Sequence, residues 1–98
     1  MNGKEIVITG MGVVSPIANE LNLFWEGIKS GRSGISRVES MDDIDQFPVQ
    51  IAGEVRQFDI EKYMDPKEAR KVDPFTAYGV AAASMAVEDS GLDKFLFD

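Results

Sequence analysis

The chain of 98 residues contains neither cysteine nor histidine. That removes thiolate nucleophiles, disulfides, Cys/His zinc sites and every catalytic triad built on an imidazole. Three groupings of chemistry-bearing residues are left. The first is Lys67, Arg70 and Lys71, which on a helix beginning near Pro66 stand at i, i+3 and i+4 and leave one face. Together with Lys62 they set four cations against Asp65 and Glu68, a basic spot in a chain of net charge −7. Such a spot suits the docking of an acidic partner. The competing reading is an ordinary solvated helix face, with Glu68 and Lys71 at i+3 partly neutralising it.

The second grouping is Gly10-Met11-Gly12, which follows an apolar run and so invites comparison with a dinucleotide-binding turn. The third glycine of that fingerprint is Ser15 here, Pro16 follows directly, and no acidic residue sits suitably about twenty positions on. A glycine turn leaving a central strand accounts better for the pattern. Asp42, Asp43 and Asp45 form the third grouping. They lack the alternation, glycine and distal glutamate of a calcium loop and read as a solvated surface loop.

These residues need elements to position them. Glu5 to Thr9 is an unalternating β-branched run, the pattern of a strand buried on both faces in a layered α/β sheet. Asn19 is the expected N-cap of a helix carrying Leu21, Phe24, Trp25 and Ile28 as a core stripe, closed by Gly31 with Lys29 in its last turn. Residues 32–48 are irregular. Residues 49–55 alternate as a strand whose drier side holds Val49, Ile51, Gly53 and Val55, with Gly53 marking a bulge or close approach. Asp65-Pro66-x-Glu68 and Asp73-Pro74 are two helix starts, the second helix running from about Pro74 to Ser90 and ending at Gly91. That last helix is apolar or small nearly all round, so it needs cover on both sides.

Ninety-eight residues make one small domain at most. The hydrophobic fraction of 44% places the chain among globular sequences. Its acidic balance argues against nucleic-acid partners and anionic membrane surfaces. The apolar stretch from Ile6 to Val14 is too short to span a bilayer and lacks a cleavage site, so a cytoplasmic protein is expected.

Ile6-Val7-Ile8-Thr9-Gly10-Met11-Gly12-Val13-Val14-Ser15-Pro16-Ile17 closely resembles the opening of the β-ketoacyl-[acyl carrier protein] synthases, and most of all their elongating, type II branch. The resemblance continues through Phe24-Trp25-Glu26, Ser33-Gly34-Ile35, Phe47-Pro48-Val49 and Ile51-Ala52-Gly53-Glu54-Val55. It runs on through Lys67-Glu68-Ala69-Arg70-Lys71-Val72-Asp73 to Glu88-Asp89-Ser90-Gly91-Leu92. Ala18 and Pro74 depart from the usual glycine and charged or small residue.

The resemblance implies a thiolase-like layered α/β fold, of which only the N-terminal part of the first half is present in residues 1–98. It also implies a homodimeric parent enzyme that performs decarboxylative Claisen condensation in fatty acid elongation. No catalytic residue is expected within this chain, because the family's cysteine and two histidines lie further on. The implied partner is acyl carrier protein, whose phosphopantetheine carries the substrate; no cofactor and no metal are expected. The surface resembling the family's carrier-protein contact is Lys67, Arg70 and Lys71. Two alternatives stay open at this point: a small acidic protein-binding module, which would unfold sharply as a monomer, and a fragment of a dinucleotide-binding oxidoreductase.

Overall fold

The computed structural model describes residues 3–92, which fall into two units, one of residues 3–12 with 60–92 and one of residues 13–59.

The second unit begins with a turn held by one hydroxyl. Ser15 Oγ accepts from the backbone N–H groups of Ile17 and Ala18 at 3.2 and 3.1 Å, and Ser15 N donates to Ala18 O at 3.1 Å. Helix α1 spans Leu21–Lys29, with Glu20 at its N-cap making no side-chain cap bond. Asn19, expected to cap this helix, instead donates to Arg56 O at 2.7 Å and accepts from Ser15 N at 3.4 Å. Its side chain is used for tertiary contact rather than for the first turn. The C-terminus of α1 closes as read from the sequence. Gly31 takes a φ of 71°, Gly31 N–H donates to Ile28 O and Arg32 N–H to Gly27 O, which is the Schellman arrangement. Phe24 is half-buried, but Trp25 is 57% exposed, with Lys29 Nζ 5.7 Å from its ring centroid. The expected core role of Trp25 is not met within this unit.

The stretch expected to be irregular contains strand β1, Ile35–Arg37, and a 3₁₀ turn at Ile44–Gln46. β1 pairs antiparallel with β2, Ile51–Gly53, in the register Ile35 to Gly53, Ser36 to Ala52 and Arg37 to Ile51. The alternation of residues 49–55 is present, yet only three of them are laddered, and the drier side is the one bearing Ser36, Ala52 and Glu54. Arg56 causes this reversal by folding over that face: it donates to Ser36 Oγ at 2.7 Å and stands 3.7 Å from Glu54 Oε1. Gly53 is a close approach, since a Cβ there would lie 3.0 Å from Pro16 Cγ and 3.2 Å from Ile35 Cδ1.

Glu54 carries a titration consequence. Its carboxyl is held below the ordinary carboxylate range by the Ser40 side chain first, then by the Glu39 N–H at 2.7 Å, with Arg56 adding to both against some desolvation. A carboxylate favoured by the fold stabilises it above the unfolded-state pKa, and that contribution disappears as pH falls through the lower folded value. Glu54→Gln is therefore expected to unfold at lower urea than the parent near neutrality. The two urea midpoints should converge as pH drops below the ordinary value of 4.5. A gap that persists in acid would assign the effect to packing.

The first unit is built on helix α3, Pro74–Ser90, whose bounds match the sequence reading: Asp73 precedes it, Pro74 opens it, and Gly91 closes it with a φ of 71°. Ala77 and Ala81 are buried, while Phe75 is 74% exposed. The stretch from Glu5 to Thr9 is not a strand. It runs extended with no ladder partner among the described residues, leaving Ile6, Val7 and Ile8 at 94, 71 and 82% exposure. A strand is stabilised by its neighbours, and none pairs with this run among the described residues. The doubly covered sheet expected from this run is accordingly not found among the described residues.

What the segment does contact is α3. Gly10 and Gly12 lie on one side of the extended chain, two residues apart. A Cβ on Gly10 would strike Ala86 O and come within 2.6 Å of Ser90 N; one on Gly12 would strike Ala82 O and reach 2.7 Å from Met85 Cβ. Residues four apart on the helix thus oppose residues two apart on the segment. Met11 N–H completes the seam by donating to Asp89 Oδ2 at 3.0 Å.

Candidate functional site

The basic grouping is carried by helix α2, Pro66–Ala69. Asp65 starts it by accepting from Lys67 N–H at 2.8 Å, and Pro66 occupies the first turn, where its missing N–H costs nothing. Val72, a half-buried residue, separates this turn from Asp73 and the start of α3.

Helix α2 ends at Ala69, before Arg70 and Lys71. Arg70 is its C-cap, with N–H to Pro66 O at 3.3 Å, and Lys71 N–H donates to Glu68 O at 3.0 Å, the tighter i to i−3 closure. A 3₁₀ turn eclipses residues three apart. It brings Lys71 beside Glu68, where Nζ and Oε1 stand 4.0 Å apart. Lys67 and Arg70 lie on α2 and its cap, and Lys71 follows directly. Both members of the Lys71–Glu68 pair are exposed, so it adds little stability.

The remaining cations are not neutralised. Among the described residues Lys62, Lys67 and Arg70 form no ion pair with a carboxylate, as is also true of Lys4 and Arg32, whereas Lys29, Arg37, Arg56 and Lys71 all do. Arg70 Nε is tied to Pro66 O at 3.3 Å, which fixes the side chain's stem at the end of α2. The arrangement offers exposed positive charge to an anionic surface.

Beside these cations is a shallow, mostly apolar hollow lined by Ile60, Glu61, Pro66, Ala69 and Arg70. The 3₁₀ turn Ile60–Lys62 forms one wall and α2 the other. The sequence reading missed it. Its only trace there is the placing of Ile60 and Ala69, two apolar residues, within a run of charged ones.

Two other groupings resolve without a ligand. Asp45 pairs with Arg37, whose guanidinium also donates to Gln50 Oε1 at 2.6 Å, so the acidic loop braces the hairpin. Among the described residues no group of three or more acidic side chains is placed to hold a metal ion, and no helix is long and apolar enough to cross a membrane. The glycines of Gly10-x-Gly12 are used against α3, which accounts for the motif without a pyrophosphate.

Residues 3–95 match the family described as β-ketoacyl synthase, N-terminal domain. Among curated proteins, the 3-oxoacyl-[acyl-carrier-protein] synthase 2 of Vibrio cholerae is 44% identical over 93 residues, covering 95% of this chain and 22% of that enzyme. The enzyme of the same name from Staphylococcus aureus is 44% identical over 90 residues, covering 92% of this chain and 22% of its own length. Among solved structures, the ishigamide ketosynthase/chain length factor superposes with a TM-score of 0.77 at 33% identity, covering 87% of this chain and 21% of that one. The chain thus spans about a fifth of the length of the relatives it matches. With the matching family spread over nearly every residue and the fold shared with a solved ketosynthase, the chain belongs to the β-ketoacyl synthase family, in its N-terminal domain.

Proposed function

We propose that this chain is the N-terminal part of a 3-oxoacyl-[acyl carrier protein] synthase, an acyltransferase that elongates fatty acids by decarboxylative condensation. In this reading the complete domain has the thiolase-like layered fold and works as a cytoplasmic homodimer. The residues that take the acyl chain and decarboxylate the malonyl unit lie outside this chain, which has no cysteine or histidine to supply them. The segment's own contribution is docking: Lys67 and Arg70, with Lys71 at the side, receive the acidic face of acyl carrier protein. The substrate arrives on that protein's phosphopantetheine, so the segment binds no cofactor of its own.

The observation that carries the docking role is the cluster of Lys62, Lys67 and Arg70, which form no ion pair among the described residues, in a chain of charge −7. Exposed cations without a carboxylate partner are available to an anionic surface. Because they are exposed, they act mainly on encounter rate and its salt dependence.

Raising ionic strength tests this in the intact enzyme that carries the segment. kcat/KM for acyl carrier protein thioesters is expected to fall by about tenfold as the Debye length contracts from about 30 to 10 Å. The value for free pantetheine thioesters should change far less. Parallel salt dependence for both substrates would count against carrier docking.

A further inference from the structure

We infer that residues 39–47, within the connection from β1 to β2, form a strap fastened at two points of unequal strength. One is a polar latch made by Glu54 and Arg56 at Glu39 and Ser40, which opens independently. The other is an apolar anchor at Ile44, which stays closed.

Hairpin connections usually have about two to five residues, so a longer one needs a reason. The near end of this one folds back onto the residues that follow β2. Glu39 N–H donates to Glu54 Oε1 at 2.7 Å, the Ser40 side chain bonds the same carboxylate, and Arg56 Nη1 stands 3.6 Å from Glu39 Oε1. The backbone that carries the latch is fixed separately, because Asn19 Nδ2 donates to Arg56 O at 2.7 Å. At the far end Arg37 pairs with Asp45, Gln50 Nε2 donates to Phe47 O at 3.2 Å, and Ile44 is 7% exposed. Met41, Asp42 and Asp43 lie between the two fastenings and are exposed.

The fastenings differ in kind. The latch consists of charged and hydroxyl groups whose bonds water can replace, and Glu39 and Arg56 both reach solvent, so breaking it costs little. Freeing the anchor returns a buried isoleucine to water, which costs more. Local opening takes the cheaper route. The strap therefore has two positions, closed against Glu54 and Arg56 or lifted from Glu39 to Asp43, and Ile44 is the pivot of both.

Methyl NMR of the intact enzyme carrying the segment tests this with Glu54→Ala, which removes the acceptor of both near-end hydrogen bonds. The Met41 ε-methyl, assigned by its loss in Met41→Leu, reports the strap, and the Ile44 δ1-methyl reports the anchor. In Glu54→Ala the Met41 signal is expected to move to the position of a solvated methionine and to sharpen by about twofold, with Ile44 unmoved. Arg56→Gln should displace it less in the same direction, and it replaces Glu54→Ala if that variant does not fold. An unmoved Met41 signal would show that the latch holds nothing. Joint displacement of Met41 and Ile44 would make strap and anchor one unit. Either result overturns the inference.

Discussion

Gly12→Val is expected to detach the N-terminal segment from α3 and to lower the stability of the unit they form by about 3 kcal/mol. The size follows from what the new atoms meet. A Cβ at position 12 collides with Ala82 O and lies 2.7 Å from Met85 Cβ and 3.0 Å from Ala86 N. The first and last of these are helix backbone, which cannot rotate aside as a flexible side-chain tip would. The segment must lift, and lifting it also costs the Met11 to Asp89 hydrogen bond. Gly79, in the middle of α3, is the reference. Nothing stands within 4 Å of a Cβ there, so Gly79→Ala should stabilise the helix by about 0.5–1 kcal/mol through its lower unfolded-state entropy. Urea unfolding followed by helical circular dichroism should move in opposite directions for the two variants. An unchanged midpoint for Gly12→Val would show that the glycine is not needed for the seam.

Arg70→Glu is expected to cut kcat/KM for acyl carrier protein thioesters by about ten- to a hundredfold at low salt in the intact enzyme. The reversal replaces the best-anchored cation of the patch, held at Pro66 O, with a repulsive carboxylate beside the hollow. Lys71→Glu should do less, because Lys71 is already paired with Glu68. The ranking is the decisive measurement. An equal or larger loss from Lys71→Glu would show that the Glu68 pairing does not withdraw Lys71 from the docking face. Equal losses with carrier-protein and pantetheine thioesters would move the effect from docking to folding.

The elements that were legible in the sequence are those whose signals are local. Asp73-Pro74 and Gly91 bound α3 to the residue, and Gly31 closes α1, because proline at a first turn and glycine at a left-handed position act through their own backbones. The rest depends on distant partners. A β-branched run from Glu5 to Thr9 states a preference for extended backbone but does not provide the strand that would pair with it. Alternation over residues 49–55 gives the period of a strand without its inward side, which Arg56 decides by crossing over Ser36. Trp25 sits on the correct stripe of α1 and is still exposed, since a stripe points to a core only where one exists. At the site, the identity of the cations was legible and so was the Glu68–Lys71 pair. The early stop of α2 and the hollow were not, because both arise where a 3₁₀ turn meets a single helical turn.

The bare extended run at Ile6, Val7 and Ile8 also bears on how such a chain survives synthesis. Three neighbouring β-branched side chains, nearly stripped of contacts and with unladdered amides, form a seed for cross-β stacking between molecules. Lys4 and Glu5 stand immediately before them as gatekeepers whose charges would have to be stacked in any fibril.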